Sequence, residues 1–337
     1  MPRPASTFRS ATSPLRRLVA AGAVGLACGL GATPAAAVII LGSAAGNTEA
    51  PTDPGLATRW GQVGSFSDFL GTPIASQFFL TAKHLGNLTG QAITFPDATS
   101  YTTTAAFFDP ASDLAIYQIS GAFPTDKIVP MYSGSFATNQ GMTIFGRGRL
   151  RTDTQVIGQR FPNGTEAKGW TWGAFTSNRS WGTNTLDGLA NGGAAGTQLA
   201  WDFDVGGSAN EGILATNDSG GPVFMQEGGV WKLAGINYAI GPKDVRETQS
   251  GPTLEAAVYD YGGLYVDVSG TWTLQSAAGG DKPAISYSSS VPANATWVQN
   301  VVTVPEPATI ALLGTAGLAS WGSLRRRQRL LRRGAPA

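Results

Sequence analysis

Between residues 38 and 300 helical periodicity is hard to find; the apolar residues come in short runs cut by Gly, Asn, Asp and Pro. Val, Ile, Phe, Tyr, Trp and Thr fill those runs, as at residues 77–82, 91–95, 114–119, 142–145, 199–205, 222–224, 231–238 and 264–268. Such side chains suit a pleated, half-buried surface, and glycine and proline interrupt it. In residues 199–205 Leu199, Trp201, Phe203 and Val205 fall on one face while Asp202 and Asp204 fall on the other. That period of two marks a half-buried strand, its carboxylates being either outward-facing or calcium ligands. Many short strands at this spacing predict an all-β sandwich or barrel. About 260 residues are available, more than one ordinary domain and normal for a two-barrel all-β protein. Residues 164–212, rich in Gly, Asn, Thr and Trp, read as long surface loops or an extra hairpin.

The two ends read as processing signals. Arg3, Arg9, Arg16 and Arg17 precede an apolar stretch, and Ala35-Ala36-Ala37 follows it. A basic head, an apolar middle and a small-residue exit predict a secretory signal peptide over residues 1–37, removed by signal peptidase. A membrane anchor is the alternative, but the run is Gly/Ala-rich and short of a full span of about 20 residues. The only cysteine, Cys28, lies inside this segment. A lipoprotein would carry a large aliphatic three residues earlier, where Gly25 stands. Without its signal the chain has no cysteine, so core burial rather than disulfides must hold it together. Its net charge is +1, charged residues are 13%, and no basic block precedes the last residues, which excludes nucleic acid as a partner.

At the C-terminus Pro305-Glu306-Pro307 precedes a mostly apolar stretch, residues 308–324, and then Arg325, Arg326 and Arg327. Physically this is a short single transmembrane helix with a cytoplasmic basic cluster. In order and spacing, residues 305–337 resemble the PEP-CTERM sorting tail of Gram-negative bacteria. The resemblance implies processing by an exosortase and delivery to the cell envelope or exterior. Residues 275–304, rich in Ser, Ala, Gly and Pro, read as a flexible stalk ahead of it.

Chemistry concentrates in three short segments. The single histidine, His84, follows the apolar run Phe78-Phe79-Leu80-Thr81-Ala82. Asp113 stands at the head of the run Leu114-Ala115-Ile116, where a carboxylate is costly to bury unpaired; Asp109 is its competitor. Ser219 lies in Asn217-Asp218-Ser219-Gly220-Gly221-Pro222. These segments resemble the L-T-A-A-H, D-[IL]-A-L and G-D-S-G-G-P motifs of the trypsin/chymotrypsin family, with Lys83 in place of an alanine and Asn217 in place of a glycine. Their order, His then Asp then Ser, is that of chymotrypsin and differs from subtilisins and α/β-hydrolases. The resemblance, through about residues 38–270, implies two packed six-stranded antiparallel Greek-key β-barrels over residues 38–274. It implies a serine endopeptidase without cofactor or metal, acting on a polypeptide.

By that resemblance His84, Asp113 and Ser219 are the catalytic triad, and the N–H groups of Asn217 and Ser219 form the oxyanion hole. Asn is the non-glycine residue that best tolerates the positive φ this loop requires. The segment 231–239 resembles the strand lining the substrate cleft, which assigns Asn237, Tyr238 and Ala239 to substrate binding. Ile213, six residues before the nucleophile, would be an apolar pocket floor. Residues 263–268 resemble the closing strand. Val38-Ile39-Ile40-Leu41-Gly42 resembles the family's mature terminus, so signal removal would free an ammonium to pair with Asp218. Two other readings remain: an inactive protease-like binding protein, for which Lys83 and Asn217 speak, and an esterase using the same triad.

Overall fold

The computed structural model describes residues 37–303. β1 (Ile39–Ile40) and α1 (Pro54–Gln62) lead in; Asp53 caps the helix by accepting the Leu56 N–H at 2.9 Å, and Pro54 suits its first turn. Then β2 (Gly64–Phe66), β3 (Phe69–Ala75), β4 (Phe78–Ala82), β5 (Ala92–Thr94), β6 (Ser100–Phe108) and β7 (Leu114–Ile119) close into an antiparallel barrel, in the order β2-β3-β4-β7-β6-β5. Next come β8 (Gln140–Gly146), the long hairpin of β9 (Arg149–Gln159) and β10 (Thr165–Phe175), and β11 (Ser180–Leu186). They are followed by β12 (Gly188–Asn191), β13 (Thr197–Asp202), β14 (Gly212–Ile213), β15 (Pro222–Glu227) and β16 (Val230–Gly241). The chain continues through β17 (Asp244–Arg246), β18 (Leu254–Val258), β19 (Tyr265–Val268) and β20 (Thr271–Leu274), and ends with β21 (Ile285–Ser290) and α2 (Ala295–Val302).

β4 explains why the barrel and the second half hold together. All five of its residues are buried, because both faces are covered. Phe79 points into the barrel, where its ring stacks on Tyr117 at 5.6 Å and meets Phe66 edge-on at 4.9 Å. Phe78, Leu80 and Ala82 point the other way, into a cluster with Phe145, Phe224, Leu233 and Ile236 from β8, β15 and β16. Each Phe, Leu or Ile among them taken from water contributes about 1.5–3 kcal/mol. The seam carrying the site is thus a continuous core.

The second half departs from a six-stranded barrel. It is a seven-stranded sheet in the order β11-β8-β15-β16-β21-β13-β12, whose edges do not pair with each other. A separate six-stranded sheet, β20-β19-β17-β18-β10-β9, lies on its own core of Val156, Val245, Ala257, Val258 and Leu264. The strand expected to close the main sheet, at residues 263–268, belongs to this extra sheet instead. β21 takes its place between β16 and β13. Much of the expected stalk is therefore folded. Ser286, Ser288, Ser289 and Ser290 are completely buried because their hydroxyls find partners, which is the condition for burying polar groups. α2 then packs Trp297, Val298, Val301 and Val302 on the seam. The predicted signal helix and transmembrane helix lie outside the described residues.

Asp202 ends β13 half-buried beside other carboxylates, not on a free outer face. Burial, then repulsion from Asp187 and Asp204, pushes its carboxyl up to about 6; burial pushes buried Glu211 up to about 7. Among the described residues no group of three or more such side chains is arranged to hold a metal. A carboxyl whose folded pKa is raised favours the folded state in its neutral form. That contribution is full below the unfolded value near 4.5 and is lost as the pH rises through about 7. Glu211→Gln is expected to flatten the fall in Tm between about pH 5 and 8, raising Tm at pH 8 by about 2–4 °C for each kcal/mol relieved. Thermal melts across that range check it.

Candidate active site

Strand register builds the first half of the site. β4 and β7 pair with Ala82 opposite Leu114, so the residues just past those ends, His84 and Asp113, are brought side by side. The Lys83 N–H donates to the Asp113 carbonyl at 2.7 Å, starting the single 3-10 turn Lys83–Leu85. The His84 N–H donates to Asp113 Oδ1 at 2.9 Å, and Nδ1 to Oδ2 at 2.6 Å. With both carboxylate oxygens engaged, the imidazole has one orientation and one tautomer, leaving Nε2 as an acceptor. Asp113 has 9% of its side chain exposed and His84 38%, so the ring faces a cleft from a buried support.

Asp109 does different work. It accepts the Ala111 N–H at 2.9 Å and the Ser112 hydroxyl at 2.6 Å, closing its own turn. Lys83, the departure from the alanine of the motif, has its Nζ on the Asp109 carbonyl at 2.6 Å and the Ser112 carbonyl at 3.2 Å. It ties down the loop that presents Asp113.

The second half comes from the loop between β14 and β15. Ser219 Oγ stands 2.8 Å from His84 Nε2. Gly220 has φ +77°, and a Cβ there would sit 2.2 Å from Thr81 Oγ1, so the loop approaches the barrel only with glycine. Asn217 has φ +78°, the left-handed conformation in which asparagine can replace glycine. Among the described residues neither the Asn217 nor the Ser219 N–H has a protein acceptor.

Asp218 is fully buried. Its Oδ1 accepts the Gly148 N–H and its Oδ2 the Ala215 N–H, both at 2.7 Å. Among the described residues it has no cationic partner, and burial pushes its carboxyl up to about 7. Ala37 and Val38 are completely buried. Val38 Cγ2 and Asp218 Oδ1 crowd the same face of Gly146, lying 2.9 and 2.2 Å from where its Cβ would be.

A cavity of about 230 Å³ adjoins Ser219, lined by residues 214–219 together with Tyr238, Ala239, Ile240 and Lys243. Tyr238 and Ala239, read from the sequence as substrate-binding, line it, and the Tyr238 ring meets His84 edge-on at 5.7 Å. Ile213 does not. It is completely buried, paired with Ile39 of β1 and packed in the core of the extra sheet, so Leu214 and Ala215 form the wall instead. The side chain of Asn237 cannot meet a substrate either, because it is completely buried behind the nucleophile loop. Lys243, which no motif singled out, lines the cavity with its Nζ 2.6 Å from Asp244 Oδ2.

The PEP-CTERM protein-sorting motif matches residues 303–327. This chain carries an export and envelope-sorting signal of Gram-negative bacteria, processed by an exosortase. No curated protein matches the chain. The motif begins directly where α2 ends, at Val302, so the folded unit abuts the sorting signal without a stalk.

Proposed function

We propose that this chain is an exported serine endopeptidase of the trypsin/chymotrypsin type, hydrolysing polypeptides with His84, Asp113 and Ser219. One observation carries the reading: Asp113, His84 and Ser219 form an unbroken hydrogen-bonded line of 2.6 and 2.8 Å, ending beside two N–H groups without acceptors among the described residues. On this reading the seven-stranded sheet is the counterpart of the family's second barrel. Signal peptidase frees the mature chain, and the processed protein works at the envelope surface or outside the cell.

The steps follow from the geometry. His84 Nε2 takes the Ser219 hydroxyl proton as Oγ bonds to the scissile carbonyl carbon. The carbonyl electron pair moves onto oxygen, which accepts the N–H groups of Asn217 and Ser219. The Asp113 carboxylate stabilises the imidazolium. As the tetrahedral intermediate collapses, the carbon–nitrogen bond breaks and the amine leaves with the His84 proton. Water then enters, gives its proton to His84 and attacks the acyl ester. When that second intermediate collapses, Ser219 Oγ leaves and takes the proton back.

The inactive binding-protein reading leaned on Lys83 and Asn217. The positive φ of Asn217, which asparagine tolerates, and the loop-tying bonds of Lys83 support the active reading instead. A fluorophosphonate probe tests the proposal on the exported protein. Labelling of the wild type with none in Ser219→Ala and very little in His84→Ala is the expected pattern. Folded wild type that stays unlabelled would sink it, and labelling without peptide cleavage would shift the reading to an esterase.

A further inference from the structure

The amide of Asn237 is completely buried with every polar atom engaged. Its Nδ2 donates to the Phe145 carbonyl at 2.9 Å and to the Asp218 carbonyl at 3.2 Å. Its Oδ1 accepts the Ser288 hydroxyl at 3.0 Å. Its backbone N–H donates to Gly221 at 2.8 Å, and its carbonyl accepts the Gly220 N–H at 3.1 Å. Asn237 therefore grips the nucleophile loop at three points from behind, at Asp218, Gly220 and Gly221.

One of these points bears on the chemistry. The Asp218 carbonyl and the Ser219 N–H are opposite ends of one peptide unit. A trans peptide is planar, so holding its oxygen toward the interior aims its N–H outward. Two donors hold that oxygen, Asn237 Nδ2 and the Gly221 N–H at 3.1 Å. The direction of the Ser219 N–H into the cleft is thus set from inside the sheet. Ser288 completes the arrangement. The carbonyls of Phe145 and Asp218 require Nδ2 to face them, which leaves Oδ1 pointing at β21, where an unpaired oxygen would carry a full desolvation penalty. The Ser288 hydroxyl meets it.

We infer that Asn237, oriented by Ser288, is a positioning residue that fixes the Ser219 N–H as an oxyanion donor, an inference resting on the hydrolase reading above. β21, the last strand before the sorting signal, thereby becomes part of the catalytic support. Ser286 adds to it by accepting the Leu214 N–H at the start of the same loop, at 3.1 Å. Ser289 supplies an internal control: equally buried on the same strand, its hydroxyl accepts from Gln198 Nε2 at 3.2 Å and, among the described residues, makes no bond to the nucleophile loop.

The experiment compares Asn237→Ala, Ser288→Ala and Ser289→Ala in the exported protein. It reads kcat, KM, Tm and the Ki of a peptide trifluoromethyl ketone, whose tetrahedral adduct puts an oxyanion against these donors. Losing one oxyanion donor outright lowers kcat by about 10²–10³-fold, and a misdirected one should lose part of that. The expected result is kcat lower by roughly 30–100-fold in Asn237→Ala and roughly 3–10-fold in Ser288→Ala. KM should stay within about twofold and Ki should rise in step with the fall in kcat. Ser289→Ala should lose stability like Ser288→Ala but keep its kcat. Should Asn237→Ala fail to fold, the Ser288/Ser289 pair decides. Equal kcat and Ki in Ser288→Ala and wild type, or losses that track Tm across all variants, overturn the inference alone. Wild type that neither labels nor cleaves overturns the hydrolase reading and this inference with it.

Discussion

Ser219→Ala, His84→Ala and the double variant should all lose about the same factor in kcat, on the order of 10⁴–10⁶. The equality matters more than the size. Among the described residues the proton on Ser219 Oγ has one acceptor within reach, His84 Nε2 at 2.8 Å, and the chain holds no second histidine to substitute. Removing the base leaves an unactivated hydroxyl; removing the nucleophile leaves a base with nothing to deprotonate. Either way only binding and the oxyanion donors remain, so the second deletion has nothing further to remove. Asp113→Asn should lose about 10⁴, because an amide cannot accept the Nδ1 proton through its NH₂ end and disturbs the tautomer. Steady-state rates on a peptide amide check this. A double variant falling several orders of magnitude below both singles would mean that the residues act separately, and the triad would be wrong.

How much of this was legible in the sequence depends on which forces act locally. The run Phe78-Phe79-Leu80-Thr81-Ala82 shows its strand character directly, since a strand buried on both faces needs apolar or small side chains throughout. From its pairing with β7, the neighbourhood of His84 and Asp113 follows almost without further information. Glycine constraints in the nucleophile loop were equally local: Gly220 and Asn217 carry their positive φ as part of the motif. The misreadings arose where partners are remote in sequence. β21 looked like a stalk because a run of serines is polar by composition. Its burial depends on acceptors and donors at Asn237, Gln198 and Leu214, which no local pattern announces. Ile213 failed as a pocket floor because its place is set by pairing with Ile39 at the far end of the chain. Asn237 was assigned to substrate binding from its position in a motif, and strand register and the β-bulge at residues 237–239 turn its side chain inward instead. Within residues 164–212, read as long surface loops or an extra hairpin, β13 was legible from the alternation at residues 199–205, while β11 was not, because threonine, asparagine and glycine conceal its alternation.

A single residue added ahead of Val38 should lower activity by about 10²-fold or more while leaving the fold intact. Val38 and Asp218 crowd the same face of Gly146, with Ala37 and Val38 completely buried. In the unprocessed chain residue 38 carries a peptide bond and no charge, and burial pushes Asp218 up to about 7. Cleavage after Ala37 would free an ammonium at residue 38, and an opposite charge within about 4–6 Å of a carboxyl favours its ionised form. The two forms should then respond oppositely to pH. With the terminus blocked, Asp218 has a raised folded pKa, so its contribution is full at acid pH and is lost as the pH rises through about 7. With a free terminus the folded pKa falls, and the contribution is present above the unfolded value near 3.8 and lost only toward acid. Asp218 connects directly to the peptide that presents the Ser219 N–H, so ionising it without a partner strains the oxyanion donors themselves. Tm and kcat measured from pH 5 to 8 on the mature chain and on the chain with one extra residue separate the cases. Equal activity and parallel melting curves would remove the ammonium from the account and leave the Asp218 carboxyl to its backbone donors, Ala215, Gly148 and Arg147.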